Sequence, residues 1–101
     1  MSRLVILGGG ESGTGAAVLG KVKGYDVFLS DSNMINNEAK ELLSKYDVFG
    51  EEVGHSREKI LDADVGVKIP GIPDKVPIVV EILAKGIPLI SGIEFAVKYD
   101  N

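Results

Sequence analysis

The feature that most constrains the fold is Gly8-Gly9-Gly10-Glu11-Ser12-Gly13, set directly behind the apolar run Leu4-Val5-Ile6-Leu7 and ahead of Gly15-Ala16-Ala17. This order reads as strand, glycine turn, helix. The spacing G-x-G-x-x-G lets a chain turn sharply at a strand end, brings bare backbone close to a diphosphate and packs the next helix tightly on the sheet. A phosphate there would rest on free amides at a helix N-terminus. A tight structural turn without a ligand satisfies the same pattern, so the motif alone leaves both readings open.

Beyond the turn, strand and helix patterns alternate. Leu4 to Leu7 is continuously apolar, as expected of a central parallel strand covered on both faces. The spacing predicts a helix over 13–23, with Ser12 as N-cap and Gly24 as its stop, then a strand over 26–30 and a helix over about 36–46. A brief third strand at Val48-Phe49 precedes the polar loop 51–56, and Ser56 is placed to cap a short helix through Leu61. Strand four covers 64–69 and is closed by Pro70-Gly71-Ile72-Pro73. A helix with Pro77 in its first turn and Gly86 as its stop leads to strand five at 88–91, and 93–97 begins a further element. Residues 22–30 and 83–91 both read helix end, Lys-Gly, strand, Ser, as two βαβ units would. The fold class expected is α/β, a Rossmann-like doubly wound parallel sheet of about five strands in the order 3-2-1-4-5, with helices on both faces.

At 101 residues the chain fits one domain, 1–101, with no room for a second catalytic one. No apolar stretch approaches the ~20 residues of a membrane span, and Met1-Ser2-Arg3 has no signal-peptide character, so a cytoplasmic address is expected. Zero cysteines and a lone His55 leave no disulfide and no thiolate or His-cluster metal site. The formal charge of −4 gives no electrostatic attraction to nucleic acid or an anionic membrane, so a phosphate must be held locally, by backbone amides.

In a 3-2-1-4-5 sheet, ligands bind outside the carboxyl ends of the strands at the switch point between strands one and four. That selects Gly8 to Gly13, Asp31-Ser32-Asn33 and Pro70-Gly71-Ile72-Pro73, a lining of backbone and short polar groups suited to binding more than to catalysis. Asp31 follows Gly13 by roughly the 20 residues at which a carboxylate receives ribose hydroxyls in dinucleotide-binding domains. Capping of the following turn or helix by Asp31-Ser32 is the plainer alternative. Ser12 divides between N-cap and phosphate ligand, and Glu11 is expected to turn its carboxylate away and offer only its amide. A P-loop is rejected, since Thr14-Gly15 stands where Lys followed by Ser or Thr is required. His55 is read as a solvated loop residue away from the ligand edge, and Glu51-Glu52 and Arg57-Glu58-Lys59 as solvated surface.

Taken together, residues 7–17, Ser30-Asp31-Ser32, Pro70-Gly71-Ile72-Pro73 and Ile90-Ser91-Gly92-Ile93-Glu94-Phe95 resemble the N-terminal domain of the UDP-N-acetylmuramoyl-L-alanine:D-glutamate ligase (MurD) family, in order and over essentially the whole chain. The resemblance implies the first of three domains of a peptidoglycan-precursor ligase, one that holds the UDP part of UDP-N-acetylmuramoyl-L-alanine and does not catalyse by itself. ATP and Mg would belong to central and C-terminal domains beyond Asn101. It further implies that Gly10, Glu11, Ser12 and Gly13 hold the diphosphate, that Asp31, Ser32 and Asn33 face the uridine end, and that Pro70 and Gly71 form the opposite wall. Three positions depart from the family pattern. Asn33 stands where some members have arginine, Ile69 replaces a common serine, and Gly92 replaces a frequent acidic residue.

Two other readings remain open at this point. Gly8 to Gly13 with Asp31 fits a nicotinamide-dinucleotide-binding domain of a dehydrogenase or regulatory sensor almost as well, although that fingerprint does not require the loop at 70–73 or the segment 91–95. A domain that keeps the fold but has lost its ligand is the third.

Overall fold

The structure is a computed structural model and describes residues 1–99. Five strands, β1 (Arg3–Leu7), β2 (Asp26–Ser30), β3 (Phe49–Glu51), β4 (Val65–Lys68) and β5 (Leu89–Ser91), form one parallel sheet in the order β3-β2-β1-β4-β5. Helices α1 (Glu11–Val22), α2 (Asn37–Lys45), α3 (Arg57–Ile60) and α4 (Pro77–Ala84) fill the four connections, and α5 (Gly92–Lys98) follows β5. This is the expected doubly wound sheet.

The period-two geometry of a strand divides the apolar residues of β1 between two cores. Leu4 and Ile6 join Ala16, Ala17, Val27, Leu29, Leu43 and Phe95 on the side of α1, α2 and α5. Val5 and Leu7 join Phe28, Ile60, Ile78, Val79 and Ile82 on the side of α3 and α4. The four apolar side chains of β1 are fully buried, each worth about 1.5–3 kcal/mol. Gly20 lets α1 lie close to this surface, since a Cβ there would come within 2.5 Å of a Leu4 methyl and 3.2 Å of a Val27 methyl. Phe95 anchors α5 in the same layer, edge-on to Tyr25 and Tyr99.

The repeated Lys-Gly pattern marks two equivalent helix ends. After α1, the Gly24 and Tyr25 amides donate to the carbonyls of Lys21 and Gly20. After α4, those of Gly86 and Ile87 donate to Leu83 and Ile82. Both are Schellman ends. They turn each helix back into the sheet with the parallel sense that the repeated pattern implies.

Candidate functional site

Parallel pairing of β2, β1 and β4 brings three loops side by side on the carboxyl edge. The glycine turn is built by three glycines with three different roles. Gly8, at φ +114°, extends the β1–β2 ladder by donating to the Ser30 carbonyl at 2.9 Å, and a Cβ on it would meet Ile69 at 3.1 Å. Gly13 is buried, and a Cβ there would collide with the Gly8 carbonyl oxygen. Gly10 is exposed and faces open space on its missing side chain's side. It is also the N-cap of α1, with no side chain to cap it.

This corrects the expected helix start. Ser12 is in the first turn, not at the N-cap, because the helix begins two residues earlier, as soon as the glycine turn closes. The amides of Glu11, Ser12 and Gly13 are its first three and have no intrahelical acceptor. The positive end of the helix points out of the sheet edge with them. Thr14, read in the sequence only as evidence against a P-loop, is buried and donates from Oγ1 to the Gly10 carbonyl at 2.8 Å, tying the turn to the helix.

Asp31 braces the turn from the β2 side. Its Oδ2 accepts from the Gly9 amide at 2.7 Å and its Oδ1 from the Asn33 amide at 2.8 Å. The second bond is the local turn cap anticipated for Asp31, and the first ties β2's loop to the glycine turn. Each oxygen keeps a further lone pair for a ligand hydroxyl. Ser32 and Asn33 are exposed, and the cap of α2 is Asn36, whose side chain accepts from the Ala39 amide.

Across the crevice, Pro70 and Gly71 are exposed, with Gly71 at φ +101°. Lys68 at the end of β4 donates to the Ile72 carbonyl at 2.8 Å and pairs with Asp74 at 3.1 Å, which holds this loop in place. Ser12, Pro70 and Gly92 line one groove, whereas Glu11 lines a separate hollow with Asn36 and Glu38. The Glu11 side chain therefore lies toward α2, clear of the groove. Ile69 forms an apolar floor in contact range of Gly8 and Gly13, and a Cβ on Gly92 would meet Ile69 at 3.2 Å. The departures at 69 and 92 are thus neighbours: the larger side chain at one fills space that a side chain at the other would need.

His55 and Glu51-Glu52 correct the sequence reading more substantially. His55 lies on the carboxyl edge of the sheet, in the loop after β3 that bonds to the Asp31–Asn33 turn, and its Nδ1 is 2.6 Å from Ser30 Oγ. Glu51 is partly buried and accepts from Ser30 Oγ at 2.9 Å, the Ser56 amide at 2.7 Å and the Ser56 hydroxyl at 2.6 Å. Burial opposes its charge, but the bonds from Ser56 and Ser30, with His55 nearby, outweigh burial and hold the carboxyl below its ordinary value. Ser56 begins α3 as expected, yet its hydroxyl serves Glu51 instead of capping the helix. Glu52 accepts from Lys40 and from the Ile35 amide, and both lower its pKa. Ser30 is fully buried, so its hydroxyl must find partners, but no spacing in the sequence marks which ones.

Comparison with known proteins places this geometry in a family. The sequence model of the MurD N-terminal domain matches residues 3–77. A curated UDP-N-acetylmuramoylalanine–D-glutamate ligase of Bacteroides thetaiotaomicron is 50% identical over 101 residues, 100% of this chain and 23% of that protein. Its counterpart in Christiangramia forsetii is 53% identical over 94 residues, 93% of this chain and 21% of that protein. The chain thus spans less than a quarter of the length of these relatives. Among solved structures, a murein peptide ligase of Psychrobacter arcticus superposes with a TM-score of 0.85 at 23% identity, covering 98% of this chain and 21% of that one. A pseudomurein peptide ligase type C of Methanothermus fervidus gives 0.82 at 24%, covering 99% and 21%. These two share the fold, and the sequence match supplies the rest: the chain belongs to the MurD N-terminal domain family.

Proposed function

We propose that this chain is the UDP-substrate-binding domain of a UDP-N-acetylmuramoyl-L-alanine:D-glutamate ligase, acting in cytoplasmic peptidoglycan-precursor synthesis. The observation that carries the reading is the set of uncommitted amides of Glu11, Ser12 and Gly13 at the switch point, with nothing within 4 Å of the side-chain position of Gly10. A diphosphate fits there because N–H groups and the helix dipole both favour negative charge. Asp31, Ser32 and Asn33 would meet the uridine end, and Pro70 and Gly71 the opposite wall.

The chemistry of the whole ligase is activation of a substrate carboxylate with ATP followed by amide formation with the amine of D-glutamate. The glycine turn is not a phosphate-binding loop of the ATPase type. Positions 14 and 15 lack the Lys-Ser/Thr of a phosphate-binding loop, and among the described residues no group of three His, Cys, Asp or Glu side chains is placed to hold a metal ion. On this reading phosphoryl transfer from ATP belongs to the remaining length of the enzyme, and this chain binds without catalysing.

An amide NMR titration with UDP-N-acetylmuramoyl-L-alanine, run in parallel with NADH, tests the proposal. Saturable shifts at residues 10–13, Asp31 and Gly71 with the UDP ligand alone are expected. A response confined to NADH would move the chain to the dinucleotide class, and silence from both would remove the binding role.

A further inference from the structure

The cluster of Ser30, Glu51, His55 and Ser56 is built more carefully than a solvated loop requires. Ser30 Oγ meets Glu51 Oε2 at 2.9 Å, His55 Nδ1 at 2.6 Å and the Gly54 carbonyl at 3.3 Å. One hydroxyl proton cannot serve all three. An ionised carboxylate only accepts, so the Ser30 proton points to Glu51, and the short contact to the imidazole then requires Nδ1–H to donate to Ser30 Oγ. The bonds run in one direction, from His55 through Ser30 to Glu51, with Ser56 closing on the same carboxylate.

This relay holds a loop that local preference would not choose. Val53 sits at φ 59°, a left-handed conformation that β-branched residues disfavour, and Gly54 at φ 146°. In that conformation the Val53 amide donates to the Asn33 carbonyl at 3.1 Å and the Gly54 amide to the Asp31 carbonyl at 3.2 Å. The Asp31 amide returns a bond to the Glu51 carbonyl at 3.0 Å. Both ends of the Asp31–Asn33 turn are therefore gripped from the 51–56 loop, while the Asp31 carboxylate braces Gly9.

We infer that His55, Ser30 and Glu51 are positioning residues: they lock loop 51–56 as an outer clamp on the Asp31–Asn33 turn and so set the nucleoside side of the substrate site. The ligand half of this inference rests on the UDP-substrate reading, whereas the clamp and the imidazole tautomer do not. His55 acts through the turn, with no contact to ligand needed.

Three readouts on this chain test it. Long-range 1H–15N correlation of the neutral His55 ring should show the proton on Nδ1, and a proton on Nε2 alone would overturn the relay. His55→Leu removes the donor and His55→Asn returns an N–H near the position of Nδ1. His55→Leu should speed amide exchange of Val53 and Gly54 and weaken UDP binding, each on the order of tenfold, and His55→Asn should restore most of both. Exchange in His55→Leu equal to wild type, or no recovery in His55→Asn, would overturn the clamp. UDP affinity unchanged despite a loosened loop would overturn the positioning role and leave the substrate reading standing. A wild-type chain that does not bind UDP would overturn the substrate reading and the ligand half of the inference, with tautomer and exchange still deciding the clamp.

Discussion

The turn after β1 and the loop after β3 end on the same sheet edge and treat backbone polarity in opposite ways. In the first, side chains are removed by glycine and three amides are left uncommitted at a helix start. In the second, Glu51, Glu52, Ser56 and His55 all have partners, and the backbone is held in a conformation that its residues do not prefer. The difference teaches how the proposed binding edge is assembled. Uncommitted donors are useful only if their positions are fixed, and the fixing is done by neighbours whose own hydrogen bonds are complete.

The largest expected effect separates two glycines of one turn. Gly13→Ala places a Cβ against the Gly8 carbonyl oxygen, a contact that only backbone movement relieves. We expect a loss of about 3 kcal/mol or more, read by urea unfolding. Gly10→Ala has open space and should lose only about 1 kcal/mol, the cost of a poorer N-cap. Equal losses would mean that Gly10 too is needed for the turn itself.

Gly10→Val tests the same contrast on the ligand side. The chain should remain folded while UDP affinity falls by about tenfold or more, because the branched side chain projects into the open space that the proposed site gives to the diphosphate. Unchanged affinity in the folded variant would count against the site.

The contrast between turn and loop was also the contrast between what could and could not be read in the sequence. The glycine turn was legible because its constraint is local: a strand end, a fixed spacing and a helix start lie within a dozen residues. Strand order followed from the alternation of strand and helix patterns along the chain. The start of α1 was misplaced by two residues because a glycine N-cap leaves no side-chain signature, and Ser12 looked like the better cap. The 51–56 cluster was not legible because Ser30 lies 21 residues from Glu51 and 25 from His55, with no spacing rule to join them. Only the pairing of β2 with β3, which sets Ser30 opposite Glu51, brings them together. The contact between Ile69 and Gly92 was hidden for the same reason.

Acid should loosen the β3 loop selectively. Glu51 has a folded-state pKa below its ordinary 4.5, so its contribution is complete above that value and disappears as pH falls through the folded value. Glu51→Gln keeps the shape but sets an N–H2 against one of the Ser30 or Ser56 donors, and should cost about 1 kcal/mol at neutral pH, allowing for partial solvent screening. The gap between wild type and Glu51→Gln should narrow as pH drops below 4.5. Parallel unfolding curves across that range would mean that the carboxylate's charge contributes nothing to the loop.

The smallest effect concerns Val53, which is 68% exposed and holds φ 59°. Exposure means that its side chain contributes little burial to offset the strain, so relief of that strain should appear directly in stability. Glycine would confound the measurement by enlarging the entropy of the unfolded chain. Asparagine tolerates the left-handed region without that penalty, and Val53→Asn should stabilise the chain by about 0.5–1 kcal/mol with the amide bonds to the Asp31–Asn33 turn retained. If the gain comes with unchanged UDP affinity, the clamp works through backbone geometry alone. If affinity falls while the amide bonds persist, the valine side chain itself touches the ligand, and the two loops share contact with the substrate instead of dividing binding from positioning.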